Sequence, residues 1–276
     1  MRKGVFWYVQ FGLTAMSCLF LIAPVFYIMA ISVMKNAARG LGSGLTLEWV
    51  GKVLSLYGDT IARGLLIALG TLAVCALAGV PAAYALVKHG KSRFMAGLEE
   101  ALVLPLTVPG LAIGLGILLT WGGVDWFRKS SLLIMCGHAV FCLPFMVRSV
   151  TAVMRTIPLG LYEEAAATLG AGFSKRFFGI VAPVAAPGIL AGALQVLALS
   201  LGEFNVTWML QTPFTQTIPV GLADSYSAMR LEIGAAYTLI FFVLIVPLLV
   251  IAQKAPAMLA RVFWREAITG KRGKLP

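Results

Sequence analysis

The sequence predicts an all-α integral membrane protein of six transmembrane helices, with a polar elbow between the fourth and the fifth. Three observations carry this. Of 276 residues, 60% are hydrophobic and only 12% are charged, against roughly 25% charged in an ordinary soluble domain. Six uncharged stretches approach or exceed the roughly 20 residues a helix needs to cross about 30 Å of hydrocarbon, and a helix satisfies its own backbone there. The cations flank those stretches and form no stripe interleaved with aromatics, so the net charge of +11 points to a membrane surface, and nucleic acid is not an expected partner.

In order, the predicted spans are Val5 to Met34, Gly64 to Val87, Ala101 to Val124, Ser130 to Val147, Phe177 to Gly202 and Ile233 to Gln253, and none contains Asp, Glu, Lys or Arg. The first is preceded by Arg2 and Lys3 and lacks a small-residue cleavage site, so it reads as a retained span. In the third, Pro105 and Pro109 stand four apart with Gly110, Gly114 and Gly116 close behind. Proline removes backbone bonds and glycine lets backbones approach, which suits a hinged or pathway-lining helix and equally suits tight packing. Phe204 to Ala223 is also uncharged, but its asparagine, glutamines, threonines and prolines place it outside the bilayer core, dipping into the bundle at most. Cys18, Cys75, Cys136 and Cys142 sit in apolar runs without CxxC spacing, so they read as small apolar residues, with neither a zinc site nor a disulfide framework.

Six spans with both termini in the cytoplasm put fifteen of the 22 Lys and Arg residues inside and seven outside, which is the bias that sets orientation. A seventh span at Phe204 to Ala223 would move the tail cations Lys254, Arg261, Arg265, Lys271, Arg272 and Lys274 outside. The loop between spans four and five, 156–176, therefore faces the cytoplasm.

That loop has a readable local structure. Ile157 and Pro158 stop the fourth helix, and a short helix starts near Leu159. Glu163 and Glu164 follow early in it, where the positive end of the helix dipole favours carboxylates. Ala165, Ala166, Ala167 and Leu169 continue it, and Gly170 is a left-handed stop. A second amphipathic piece, Phe173 to Phe178, sets Lys175 and Arg176 between aromatics, and Pro183 and Pro187 fall in the first turns of the fifth span. On composition alone an ordinary solvated loop with interfacial phenylalanines is an equal reading.

The spacing separates the two. Glu164-Ala165-Ala166, then Gly170, Ile180 and Ala182-Pro183, resembles the E-A-A-x3-G-x9-I-x-L-P motif of ABC-importer membrane subunits, with alanine at 182 where leucine is usual. The stretches "HAVFCLPFMVRSV" before it and "GEFNVTW" after the fifth span extend the resemblance over nearly all of residues 60 to 255, toward the polyamine, ferric iron, sulfate and phosphonate branch of type I importers. The resemblance implies a single permease domain over 1–276 in a bacterial inner membrane. It also implies a cytoplasmic coupling loop that docks on a separate ATPase dimer through Glu163, Glu164, Ala165, Ala166, Gly170, Phe173, Lys175, Arg176 and Phe178. Glu164 and Gly170 anchor that docking, and the short helix ending near Phe178 transmits the stroke. A second permease, expected to be a different chain, and an extracytoplasmic solute-binding protein complete the implied assembly.

The chain itself carries no phosphate loop: Gly90-Lys91-Ser92 has Ala85 where the first glycine of G-x-x-x-x-G-K-[ST] belongs. No cofactor is expected in this chain, ATP and magnesium being the partner's. Polar groups in or beside the spans are candidates for the solute pathway. His138 and Gln195 lie inside spans, with an interhelical hydrogen bond favoured for His138 over solute contact. Glu203, Asn205 and Trp208 end the fifth span. Glu203 reads either as a gate attracting a cationic group or as a local cap or partner of Arg230. Asp224 and Glu232 are candidates for meeting the binding protein, a solvated loop face being the commoner reading. The expected solute is small and polar, a polyamine or aminophosphonate-like cation or zwitterion. A secondary transporter or channel working without an ATPase is the alternative, though no internal repeat supports it. An enzyme is not expected, since no HExxH, nucleophile elbow or acid–base cluster is present.

Overall fold

The computed structural model describes residues 5–90 and 92–269, with side chains except at 5, 252 and 255–269. Of the cations used for orientation, Arg2, Lys3, Lys91, Lys271, Arg272 and Lys274 lie outside the described residues, as do the side chains of Arg261 and Arg265. The described residues are helical, without strands, and run α1 (Val5–Ile31), α2 (Glu48–His89), α3 (Arg93–Ala101), α4 (Leu104–Thr107), α5 (Gly110–Trp121), α6 (Asp125–Arg128) and α7 (Ser131–Met154). The second half runs α8 (Leu159–Thr168), α9 (Phe173–Arg176), α10 (Ala182–Gly202), α11 (Asn205–Leu210), α12 (Ile218–Ser227) and α13 (Leu231–Thr269). Five of these segments are long and apolar enough to cross a membrane, and a bent pair makes a sixth.

The bent pair is the predicted third span, and here the structure departs from a straight helix over 101–124. Arg93–Thr107 and Gly110–Trp121 meet at 102°. The cause is local: a residue before proline is pushed out of the helical region, and Val108 is extended (φ −95°, ψ 132°) ahead of Pro109, which starts α5 without an N–H to leave unpaired. Helix α1 stops at Ile31, short of Met34, while α2, α7 and α13 outrun their predicted ends. Helix α2 begins sixteen residues before Gly64, carried by a Glu48–Lys52 pair at 2.7 Å one turn apart, and it is kinked at Tyr57 (φ −126°, ψ 17°). Helix α1 is apolar on all sides and mostly exposed, the pattern of a helix whose surroundings are themselves apolar.

The chain divides into two compact units. One comprises residues 1–61 and 220–244. Within it, the Trp49 indole donates to the Met34 carbonyl at 3.0 Å, the Ala37 amide to Glu232 at 2.9 Å, and the Arg230 guanidinium to the Tyr57 hydroxyl at 3.0 Å.

The other unit comprises residues 62–219 and 245–276, and it holds the loop and polar groups singled out above. Its centre is α7, packed along α10. The two backbones close on Gly188, where a Cβ would stand 2.7 Å from the Ser149 carbonyl oxygen, so only glycine fits between them. A core of Cys75, Ala83, Leu86, Met146, Val150, Val181 and their neighbours fills the space between α2, α7 and α10. Gly137 on α7 is covered by Val206 and Leu210 of α11 in the same close manner.

Candidate functional site: an elbow pinned to the bundle and a buried polar clamp

The elbow between α7 and α10 forms as its residues dictate. Pro158 precedes α8, and Gly170 ends it in the left-handed region at φ +80°. The Gly170 amide donates to the Ala167 carbonyl at 2.9 Å and the Ala171 amide to the Ala166 carbonyl at 3.0 Å, the paired closure of a Schellman motif. The chain then re-enters helix at α9. The structure differs from the expected short helix ending near Phe178: α9 runs without a break through a π turn, Phe177–Val181, into α10. Pro183 explains the π turn, because its ring cannot sit over an α-helical carbonyl at 179. The Ala182 amide reaches the Phe177 carbonyl instead.

The two neighbouring carboxylates part company. Glu163 is 4% exposed, and its Oε1 accepts from the Tyr84 hydroxyl at 2.7 Å, with Lys88 Nζ 3.5 Å away. Lys88 also donates to the Tyr84 oxygen. The rings of Phe173 and Phe177 lie 6.2 and 5.5 Å from that of Tyr84. Tyr84 thus pins both halves of the elbow to α2, one through a carboxylate and the other through aromatic edges. Glu164, by contrast, is exposed, along with Ala165, Gly170, Phe173, Lys175 and Phe178, while Ala166 and Arg176 are half-buried. A cleft of about 650 Å3 runs beside the elbow, lined by Lys88, Arg155, Glu163, Glu164 and Arg176 among others. Arg155 is anchored at its rim by Glu99 at 2.7 Å, and the Arg176 Nε is buried without a hydrogen-bond partner.

At the other end of α10 lies a buried polar clamp. His138 on α7 is 1% exposed. Its Nδ1 stands 2.8 Å from the Ser200 hydroxyl and its Nε2 2.7 Å from the Thr207 hydroxyl, so one imidazole ties α7 to α10 and α11. This is the interhelical bonding favoured from the sequence. Glu203 is 8% exposed, and its Oε2 accepts from the Val206 amide at 2.9 Å and the Thr207 amide at 3.3 Å. It therefore caps α11. Burial pushes the Glu203 carboxyl above its ordinary value, and the amides of Thr207, Val206 and Asn205 pull it back down. Asn205 and Trp208 are exposed on α11, Gln195 is exposed on α10, and Pro105 and Pro109 flank the bend between α4 and α5. Tyr84, Ser149, Ser200 and Thr207 were not singled out from the sequence. Hydroxyls are common in helices, and nothing local marks one whose partner lies 46 to 79 residues away.

Five or six helices of membrane-crossing length, an elbow pinned by Tyr84 and a buried polar clamp define a multi-pass membrane protein. A family model, the binding-protein-dependent transport system inner membrane component, matches residues 76–254, and the chain belongs to that family. It is 29% identical over 232 residues, 80% of this chain and 81% of the relative, to the putrescine transport system permease protein PotI of Escherichia coli (strain K12). It is 34% identical over 154 residues, 50% of this chain and 67% of the relative, to the molybdenum transport system permease protein ModB of the same strain. With the putative 2-aminoethylphosphonate transport system permease protein PhnV of Salmonella typhimurium it shares 26% over 223 residues, 80% of this chain and 83% of the relative. The crystal structure of a bacterial ABC transporter involved in the import of the acidic polysaccharide alginate shares the fold, with a TM-score of 0.67 over 91% of this chain and 96% of that one at 18% identity. The chain is accordingly a multi-pass inner-membrane permease subunit of an ABC importer with the type I fold, and not an enzyme. Membership implies an ATPase and a binding protein as partners in general terms.

Proposed function

We propose that the elbow at residues 156–176 is the docking segment through which this permease is driven by an ATPase dimer, which binds the ATP and magnesium. The observation that carries it is the division of labour at the elbow: Glu163 is turned inward to hold α8 against α2, while Glu164 is left exposed on the same short helix. Both termini then lie in the cytoplasm, consistent with the cation bias of the sequence. A second permease, a different chain, supplies the other half of the passage, and an extracytoplasmic binding protein delivers the solute. The solute is a small cation or zwitterion of the polyamine or aminophosphonate kind, a reading supported by the names of the putrescine and 2-aminoethylphosphonate relatives.

Co-purification tests the docking. Glu164→Lys reverses a charge at the centre of the proposed contact without touching the Tyr84 pin. ATPase retained on the membrane complex is expected to fall at least about tenfold, the scale of one interface hot spot. Full retention with full solute uptake would overturn the reading.

A further inference from the structure

Gln195 is the feature the fold leaves least explained. It lies seven residues, about 10 Å, inside the end of α10, at a depth where a side-chain amide facing hydrocarbon is costly. Yet it is exposed, as is Gly202, seven residues on and so on the same face. Exposed Asn205 and Trp208 follow on α11. The Gln195 carboxamide is also oriented: the Ser149 hydroxyl of α7 donates to its Oε1 at 3.0 Å. That bond occupies the acceptor end and leaves the amide NH2, with two donors and no acceptor, pointing away from α7.

We infer that Gln195, set by Ser149, is a solute-contact residue on the water-lined face of the passage, presenting amide donors to an oxyanion or carboxylate group on the solute. The inference rests on the proposed small-solute route and narrows it. A pure diamine offers no acceptor to such a site when protonated, whereas an aminophosphonate-like zwitterion does. Ser149 acts through Gln195 and is a positioning residue. A hydrogen bond to a second permease is the rival use of the same amide, and it would leave the face dry.

Thiol labelling of the assembled transporter separates these. With the exposed Cys18 and Cys136 replaced by alanine, Ala191→Cys places a thiol one turn before Gln195. The probes are two water-soluble methanethiosulfonates, one carrying a sulfonate and the other a trimethylammonium group. Both are expected to react, and the sulfonate-to-ammonium rate ratio is expected to fall about fivefold in Gln195→Leu and in Ser149→Ala, the worth of one hydrogen bond. Gln195→Asn, which keeps the donors on a shorter stem, should fall less. No reaction with either probe would overturn the inference by showing a dry face, and so would a ratio unmoved by all three variants. Uptake of putrescine in preference to 2-aminoethylphosphonate by the unaltered transporter would overturn the narrowing while leaving the ATPase docking intact. Conversely, a Glu164→Lys complex that keeps its ATPase would strike the docking and leave the labelling result standing.

Discussion

Glu163, within α8, and Glu203, between α10 and α11, are both buried carboxylates, and they are satisfied in opposite ways. Glu163 takes its partners from another helix, Tyr84 and Lys88 of α2, so its bonds fix where α8 sits relative to the bundle. Glu203 takes its partners from the next turn of its own chain, the amides of Val206 and Thr207, so its bonds start α11 and fix nothing farther off. The long-range task at that end falls to His138, which reaches Ser200 and Thr207 with its two ring nitrogens. A buried charge does not by itself locate a docking contact. The direction its partners come from decides whether it holds an element in place or merely begins one.

Removing the long-range carboxylate breaks the comparison hardest. Glu163→Ala leaves the Tyr84 hydroxyl and Lys88 without their buried partner and is expected to lower stability by about 2–3 kcal/mol, read as an earlier transition in denaturant titration of the detergent-solubilised protein. A loss no larger than that of a surface substitution would mean the pin does not hold. His138→Leu keeps the volume roughly constant and removes two hydroxyl contacts. The expected loss is about 1–2 kcal/mol, given the modest worth of such bonds between membrane helices, and limited proteolysis should open near α11 before α8. Gly170→Ala isolates the backbone alone. No atom lies within 4 Å of the added Cβ, but φ is +80°, so the cost is expected to be about 1 kcal/mol of left-handed strain, with the Tyr84 pin intact by fluorescence of a probe on Lys175.

The elbow was legible because its devices are local. Pro158, the alanines and Gly170 each act on their own turn, and α8 starts and stops where they put it. The bend between α4 and α5 was half legible: Pro105 and Pro109 announced a weakness, but its size depends on how α5 packs against α11 through Gly110 and Gly114. The extended start of α2 was hidden from hydropathy, since Glu48, Lys52, Asp59 and Arg63 interrupt the apolar run while leaving helix propensity untouched. Least visible were the partners of buried groups. Tyr84 lies 79 residues from Glu163, and Ser200 lies 62 from His138. Such pairs exist only once α7 has found α2 and α10.

The unbroken passage from α9 through the π turn into α10 makes a single rod of Phe173–Gly202, about 45 Å long at 1.5 Å per residue. Its near end carries Lys175 and its far end carries Ser200, one of the two hydroxyls gripping His138. A twist imposed at the phenylalanine-lined stub would reach the imidazole past two weak points, the widened turn ahead of Pro183 and the backbone bond missing at Pro187 inside α10.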